Sequence, residues 1–180
     1  MTQDNSEIKA EKGRQASIEG FANEHIALGI LMKKYQNVSL VDLPLSSYDI
    51  IIVLREDNRE SFIRVQSKTA SKTISFTGGT RGGVDREYKS GVKEYIQSPK
   101  TSDVVVGVNL NQNGVYDLYF VSTILISHLQ QKSISLSKIQ FTKNNYDLLE
   151  QCKNEKYVLN LAKAHNLLKD INSDSNENQQ

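Results

Sequence analysis

Apolar positions along this chain recur with two rhythms. In "RQASIEGFANEHIALGILMKKY", residues 14–35, Ile18, Phe21, Ala22, Ile26, Leu28 and Leu31 fall near helical spacing, which predicts a first helix packing through those residues. Shorter runs then follow. "NVSLVDL" reads as a short strand, "YDIIIVL" as a strand with a continuous apolar stretch, and "ESFIRVQSKT" as a strand carrying Phe62, Ile63 and Val65. The polar "REDNRE" between the last two predicts a hairpin turn. "KTISFT" is a further strand candidate, and "GGTRGG", with four glycines in six residues, predicts a loop. A second helix fits "VDREYKSGVKEYIQS" up to Pro99, after which "SDVVVGVNL", the turn "QNG" and "VYDLYFVS" read as a buried strand and its hairpin partner. Beyond Ser127 the rhythm becomes helical again, with Tyr146, Leu149, Tyr157, Leu161, Ala164 and Leu168 spaced for a packing face that covers the sheet or pairs two chains. The order of elements predicts a mixed α/β core.

Both ends are polar. Residues 1–12 are expected to be flexible, and the final stretch 171–180 lacks aromatics and is expected to be disordered. The 180 residues, 38% hydrophobic and 24% charged, fit one soluble domain with a real core. No apolar stretch of the signal-peptide kind opens the chain, so a cytoplasmic location is expected. The single cysteine, Cys152, excludes an intramolecular disulfide and a cysteine zinc cluster, and is assigned to packing. His25, His128 and His165 are too scattered to suggest a metal cage.

A net charge of +1 says little about partners, but its distribution is uneven. Between Phe62 and Lys93 there are seven basic residues (Arg64, Lys68, Lys72, Arg81, Arg86, Lys89, Lys93) against Asp85 and Glu87, a local net of +5. That suits a phosphate-binding face or a solvated charged one. The glycines of "FTGGTRGGVDR" would let backbone N–H groups approach phosphates beside Arg81 and Arg86, or would form a plain surface loop. No G-K-[ST] follows them, which excludes a nucleoside-triphosphate cradle.

The chemistry concentrates where the two central strands meet. Asp49 opens "DIIIV", and Gln66, Ser67 and Lys68 close the strand that a hairpin lays antiparallel beside it. On a strand, Gln66 and Lys68 share one face and Ser67 takes the other, toward the core or a helix. A carboxylate, an amide oxygen and a backbone carbonyl are hard oxygen donors of the kind Mg²⁺ takes alongside phosphate and water.

These strings, "YDIIIV" and "FIRVQSKTA", resemble the PD-(D/E)XK nuclease superfamily in its QxK form, and within it the group I intron-associated endonucleases. The resemblance spans roughly residues 12–126. It implies a restriction-endonuclease-like mixed central sheet flanked by helices over 13–127, with a C-terminal helical extension over 128–170 outside it. It also implies a glutamate on the first helix. In "GFANEHIALGILMKKY" the glycine-x-x-x-glutamate spacing selects Glu24, with Glu19 as the competitor. By that likeness Asp49 and Glu24 would hold Mg²⁺ with Gln66 and the Ser67 carbonyl, Lys68 would position or activate water, and Arg81, Arg86, Lys72 and Lys89 would contact DNA. The implied function is a Mg²⁺-dependent DNA endonuclease of homing or restriction type, acting as a homo-oligomer so that two sites cut two strands. A junction resolvase or other structure-specific nuclease is the same-fold alternative. A non-catalytic DNA-binding protein is the alternative from another class, suggested by Gln66 standing where an acidic residue is commoner.

Overall fold

The computed structural model describes residues 5–43, 46–56, 59–79 and 94–168. It shows a mixed α/β architecture: a central five-stranded sheet flanked by helices. In chain order the sheet strands are β1 (Val38–Leu40), β2 (Ile50–Glu56), β3 (Arg59–Thr69), β7 (Val104–Leu110) and β8 (Tyr116–Ser122), and they lie side by side in that order. Only β3 and β7 run parallel; the other neighbours are antiparallel. The 34 residues between β3 and β7 include three short strands, β4 (Thr73–Ser75), β5 (Thr77–Gly78) and β6 (Tyr95–Ile96), which lie outside the central sheet.

Each face of the sheet has its own core. On one, Ala27 and Leu31 of helix α1 (Asn5–Lys34), with Tyr35 just past its end, pack over Ile50, Ile52, Ile63, Val65, Val106 and Phe120. On the other, Val105, Tyr119 and Val121 meet Ile74, Phe76 and the C-terminal elements through Leu125, Ile126, Ile139 and Val158. Each fully buried Leu, Ile or Phe contributes about 1.5–3 kcal/mol, so these two layers supply the main driving force. Gly107 lets the second layer close: a Cβ there would sit 2.5 Å from Ile74 Cδ1 and 3.1 Å from Ala70 Cβ. It is also the cross-strand neighbour of Lys68, so this close approach lies directly beside the candidate site.

The C-terminal part wraps round edge strand β8. Helix α2 (Thr123–Leu129), strand β9 (Ser133–Ser135), a 3₁₀ segment (Leu136–Thr142), α3 (Tyr146–Glu150) and α4 (Glu155–Ala164) follow in order. Leu149 joins the core under α1, and its neighbour Leu148 joins the opposite one. The extension therefore seals the sheet edge, the alternative to leaving a row of unpaired backbone groups exposed.

Three expectations change. Helix α1 begins at Asn5, inside the stretch expected to be frayed. Ile18 and Phe21 do not pack on the sheet; they are 63% and 65% exposed. The reason is rotational, since Ile18 precedes Ala27 by nine residues, two and a half turns, and so faces the other way. The helix expected over residues 84–98 does not reach its end: Tyr95 and Ile96 form β6, paired with Gly78 and Thr77, and residues 84–93 lie outside the described part. The tail 171–180 lies outside it as well. Among the described residues no helix is long and apolar enough to cross a membrane.

Candidate active site

The ladder between β2 and β3 starts at Ile50↔Val65, while β3 runs on to Thr69 and stays paired with β7 on its other side. Among the described residues, β3 past Val65 therefore has a strand neighbour on one side only, and a notch opens in the sheet. Asp49 sits at its corner. Its N–H donates to Val65 O at 2.9 Å, and its own carbonyl accepts from Val41 N at 2.8 Å. The side chain then takes the place of the missing strand: Oδ2 accepts the Ser67 N–H at 2.8 Å and the Gln66 Nε2 at 2.5 Å. Gln66 Nε2 also donates to the Ser67 carbonyl at 3.2 Å. Two oxygens thus converge on one donor group, as they would on a hard cation.

Helix α1 brings the third element. Asn23 Nδ2 donates to Thr69 Oγ1 at 2.8 Å, which clamps the helix to the end of β3 beside Lys68. The next residue, Glu24, is half-buried. Burial, and then the Asp49 charge, raise its pKa above the ordinary 4.5, against smaller opposite pulls from His25 and Lys68. Lys68 moves the other way: burial lowers it from 10.5, although Asp49 and Glu24 both favour its ammonium. Each of the three feels the others' charges, so Glu24, Asp49 and Lys68 share one electrostatic site with Gln66 and the Ser67 carbonyl. Ser67's side chain points away, is 6% exposed, and its Oγ has no hydrogen-bond partner.

Glu19, the competing helix carboxylate, instead lines a cleft of about 340 Å³ with Asn23, Thr69, Asn109 and Tyr116. Among the described residues no three His, Cys, Asp or Glu side chains gather around a point that could hold a metal. A metal held here would rest on mixed donors: two carboxylates, one amide and one carbonyl. All carry oxygens of the type Mg²⁺ prefers, the Gln66 amide through its Oε1, so the residues fit that ion.

Gln97 carries no motif and no sequence signal singles it out, yet it touches the site. It follows β6, is fully buried, and donates from Nε2 to Gln66 Oε1 at 3.3 Å. Its own Oε1 accepts from Thr101 Oγ1 at 2.6 Å and Ser102 Oγ at 3.0 Å. The β5–β6 pair leads directly into Gln97, whose backbone N–H donates to Phe76 O at 2.8 Å. Of the residues expected to contact DNA, Lys72 is exposed between β3 and β4. Arg81, Arg86 and Lys89 lie outside the described residues.

The histidines are dispersed. His25 meets Phe21 in a tilted ring contact at 4.3 Å, His128 faces Glu155 at 3.6 Å, and His165 lies flat on Phe141 at 4.3 Å. Cys152 is buried, and burial pushes its thiol up to about 12, which suits packing and not reactivity.

No protein-family model matches the sequence, and no curated protein matches it. Among solved structures the fold matches a bacterial homing endonuclease, I-Ssp6803I, with a TM-score of 0.53. The match covers 78% of this chain and 97% of that one at 15% sequence identity.

Proposed function

We propose that this chain is a Mg²⁺-dependent DNA endonuclease of the PD-(D/E)XK type in its QxK form, hydrolysing phosphodiester bonds as a homo-oligomer. One observation carries the reading: Asp49, the Gln66 amide and the Ser67 carbonyl meet in an unpaired notch of the sheet, with Glu24 and Lys68 in electrostatic contact. A fold kept only as a scaffold has no need to place a lysine and two carboxylates in a half-buried notch where burial disfavours their charges. The likeness to I-Ssp6803I, described as a homing endonuclease, favours the homing type over the restriction type.

Asp49, Glu24, Gln66 through Oε1, and the Ser67 carbonyl would hold the ion. When bound, Mg²⁺ supplies a Lewis acid that acidifies a water ligand and offsets charge growing on the phosphate. Lys68, lowered by burial, exchanges its proton more readily than a surface lysine does, so it can orient the attacking water and give a proton to a departing oxygen. While charged it also stabilises negative charge on the phosphoryl oxygens. Lys72, Arg81, Arg86 and Lys89 would neutralise backbone phosphates and so hold the duplex over the notch. The test is to digest mixed-sequence DNA with Mg²⁺ or with EDTA and sequence the fragment ends. Discrete ends that require Mg²⁺ support the reading; no metal-dependent ends contradict it.

A further inference from the structure

Gln97 is fully buried and spends both ends of its amide on one line of hydrogen bonds. Thr101 and Ser102 hydroxyls donate to its Oε1, its Nε2 donates to Gln66 Oε1, and Gln66 Nε2 donates to Asp49 and to the Ser67 carbonyl. All the donors in this line point toward Asp49. Gln66 therefore shows its N–H₂ to the two oxygens that would ligate a cation, and a cation there needs the reverse face of the amide.

A half-turn of a glutamine amide exchanges donor for acceptor with almost no change of volume. If Gln66 turns, its Nε2 meets Gln97 Nε2, and two donors oppose each other in a buried place. That clash is removed only if Gln97 turns too. Its Nε2 then faces Thr101 Oγ1 and Ser102 Oγ, and hydroxyls can accept as well as donate. Thr101 Oγ1 then still donates to Ser98 O at 2.9 Å, so the line has a second direction, whose cost is that the Ser102 hydroxyl gives up the acceptor it has now. A buried polar group left unmatched costs about 1–3 kcal/mol, so mixed directions are strongly disfavoured.

The geometry points to Gln97 as a positioning residue for the metal site: through a reversible line running from Thr101 and Ser102, it sets which end of the Gln66 amide faces Asp49, and it reverses together with Gln66 when a divalent cation binds. This rests on the reading of the notch as a Mg²⁺ site. Gln97 itself touches neither the cation nor the substrate. It acts on them only by orienting Gln66.

The experiment needs no DNA and no turnover. In a Mg²⁺ titration of the wild-type chain followed by ¹⁵N–¹H spectra, the side-chain N–H₂ signals of Gln66 and Gln97 should shift together with one midpoint. A stationary Gln97 signal while Gln66 responds overturns the relay. Isothermal titration with MgCl₂ then compares wild type, Gln97→Glu, Gln66→Ala and the double variant. Glutamate keeps the shape but can only accept from Gln66, so it holds the Gln66 carbonyl toward the cation. Gln97→Glu should tighten Mg²⁺ binding roughly tenfold, the scale on which groups that orient a ligand act. In the Gln66→Ala background most of that gain should vanish. An equal gain in both backgrounds would mean that only the added charge acts, and would overturn the relay while leaving the metal site intact. If wild type shows no Mg²⁺ binding that depends on Asp49, the metal reading falls and the relay falls with it.

Discussion

Two aspartates act on the same strand with opposite results. Asp103 meets β3 at Arg64, and Asp49 meets it at Gln66 and Ser67, only two positions further on. Asp103 is 6% exposed and closed on all sides. Its carboxylate takes the Arg64 guanidinium at 2.8 Å, the Arg64 backbone N–H at 2.8 Å and Lys153 at 3.4 Å. Burial alone would push Asp103 up, but the hydrogen bonds from Arg64 outweigh it and leave the carboxyl below its ordinary range, with Arg64 correspondingly raised. At the notch the balance is reversed. Burial dominates for both Glu24 and Lys68, and each is pushed toward its neutral form despite the other's presence. The comparison separates a pair that holds the protein together from a set whose charges are left incompletely compensated. Incomplete compensation is a cost to stability, and it is also what a bound cation would relieve.

The largest expected effect falls on the closed cluster. Asp103→Ala leaves Arg64 without its buried partner and should cost about 3–5 kcal/mol, read as a lower denaturant midpoint. The pH dependence follows from the sign of the shift. A depressed carboxyl adds stability that is present in full above its ordinary 3.8 and is lost as pH falls through its lower folded value. Asp103→Ala should therefore flatten the acid limb of the stability curve, whereas an unchanged limb would assign acid sensitivity to other groups.

The notch should respond in the opposite sense. A lysine whose folded pKa is lowered adds stability only above its ordinary 10.5, and that stability is lost as pH falls through the folded value, so at neutral pH the charged Lys68 is a cost. Lys68→Met should stabilise the fold by about 1 kcal/mol while cleavage drops roughly a hundredfold. A variant that loses both stability and activity would make Lys68 a structural residue like Arg64. The smallest effect belongs to the periphery. Lys72→Ala should weaken DNA binding several-fold and reduce the slope of log affinity against log salt by about 0.9, the share of one phosphate contact. No change in slope would remove Lys72 from the DNA path.

The sheet was readable from sequence because its strands are unbroken apolar runs, such as "IIIV" and "VVV" in β2 and β7. The neighbours of the notch were readable because chain reversal and strand alternation fix where Asp49, Gln66, Ser67 and Lys68 lie. Other features depend on contacts that no local pattern encodes. Tyr95 belongs to a strand because its backbone pairs with Gly78, where a Cβ would lie 2.7 Å from the Tyr95 ring. Ile18 and Phe21 keep helical spacing but fall on the side of α1 away from the sheet, and spacing alone does not say which side is buried. Gln97 is 31 residues from Gln66 and meets it only through tertiary packing. It could be found only once the fold placed the two amides together.

The account turns on Asp49, so the most direct measurement is Mg²⁺-dependent nicking of supercoiled plasmid by wild type and Asp49→Ala, each first shown to unfold cooperatively. The account predicts that wild type nicks with Mg²⁺ and not with EDTA. It predicts that Asp49→Ala keeps its unfolding free energy to within about 1 kcal/mol, since the hydrogen bonds lost at a half-buried notch are offset by relief of the repulsion between Asp49 and Glu24. Cleavage by that variant should fall by at least about a thousandfold, the equivalent of roughly 4 kcal/mol of transition-state stabilisation. Wild-type-like nicking by a folded Asp49→Ala protein would contradict it.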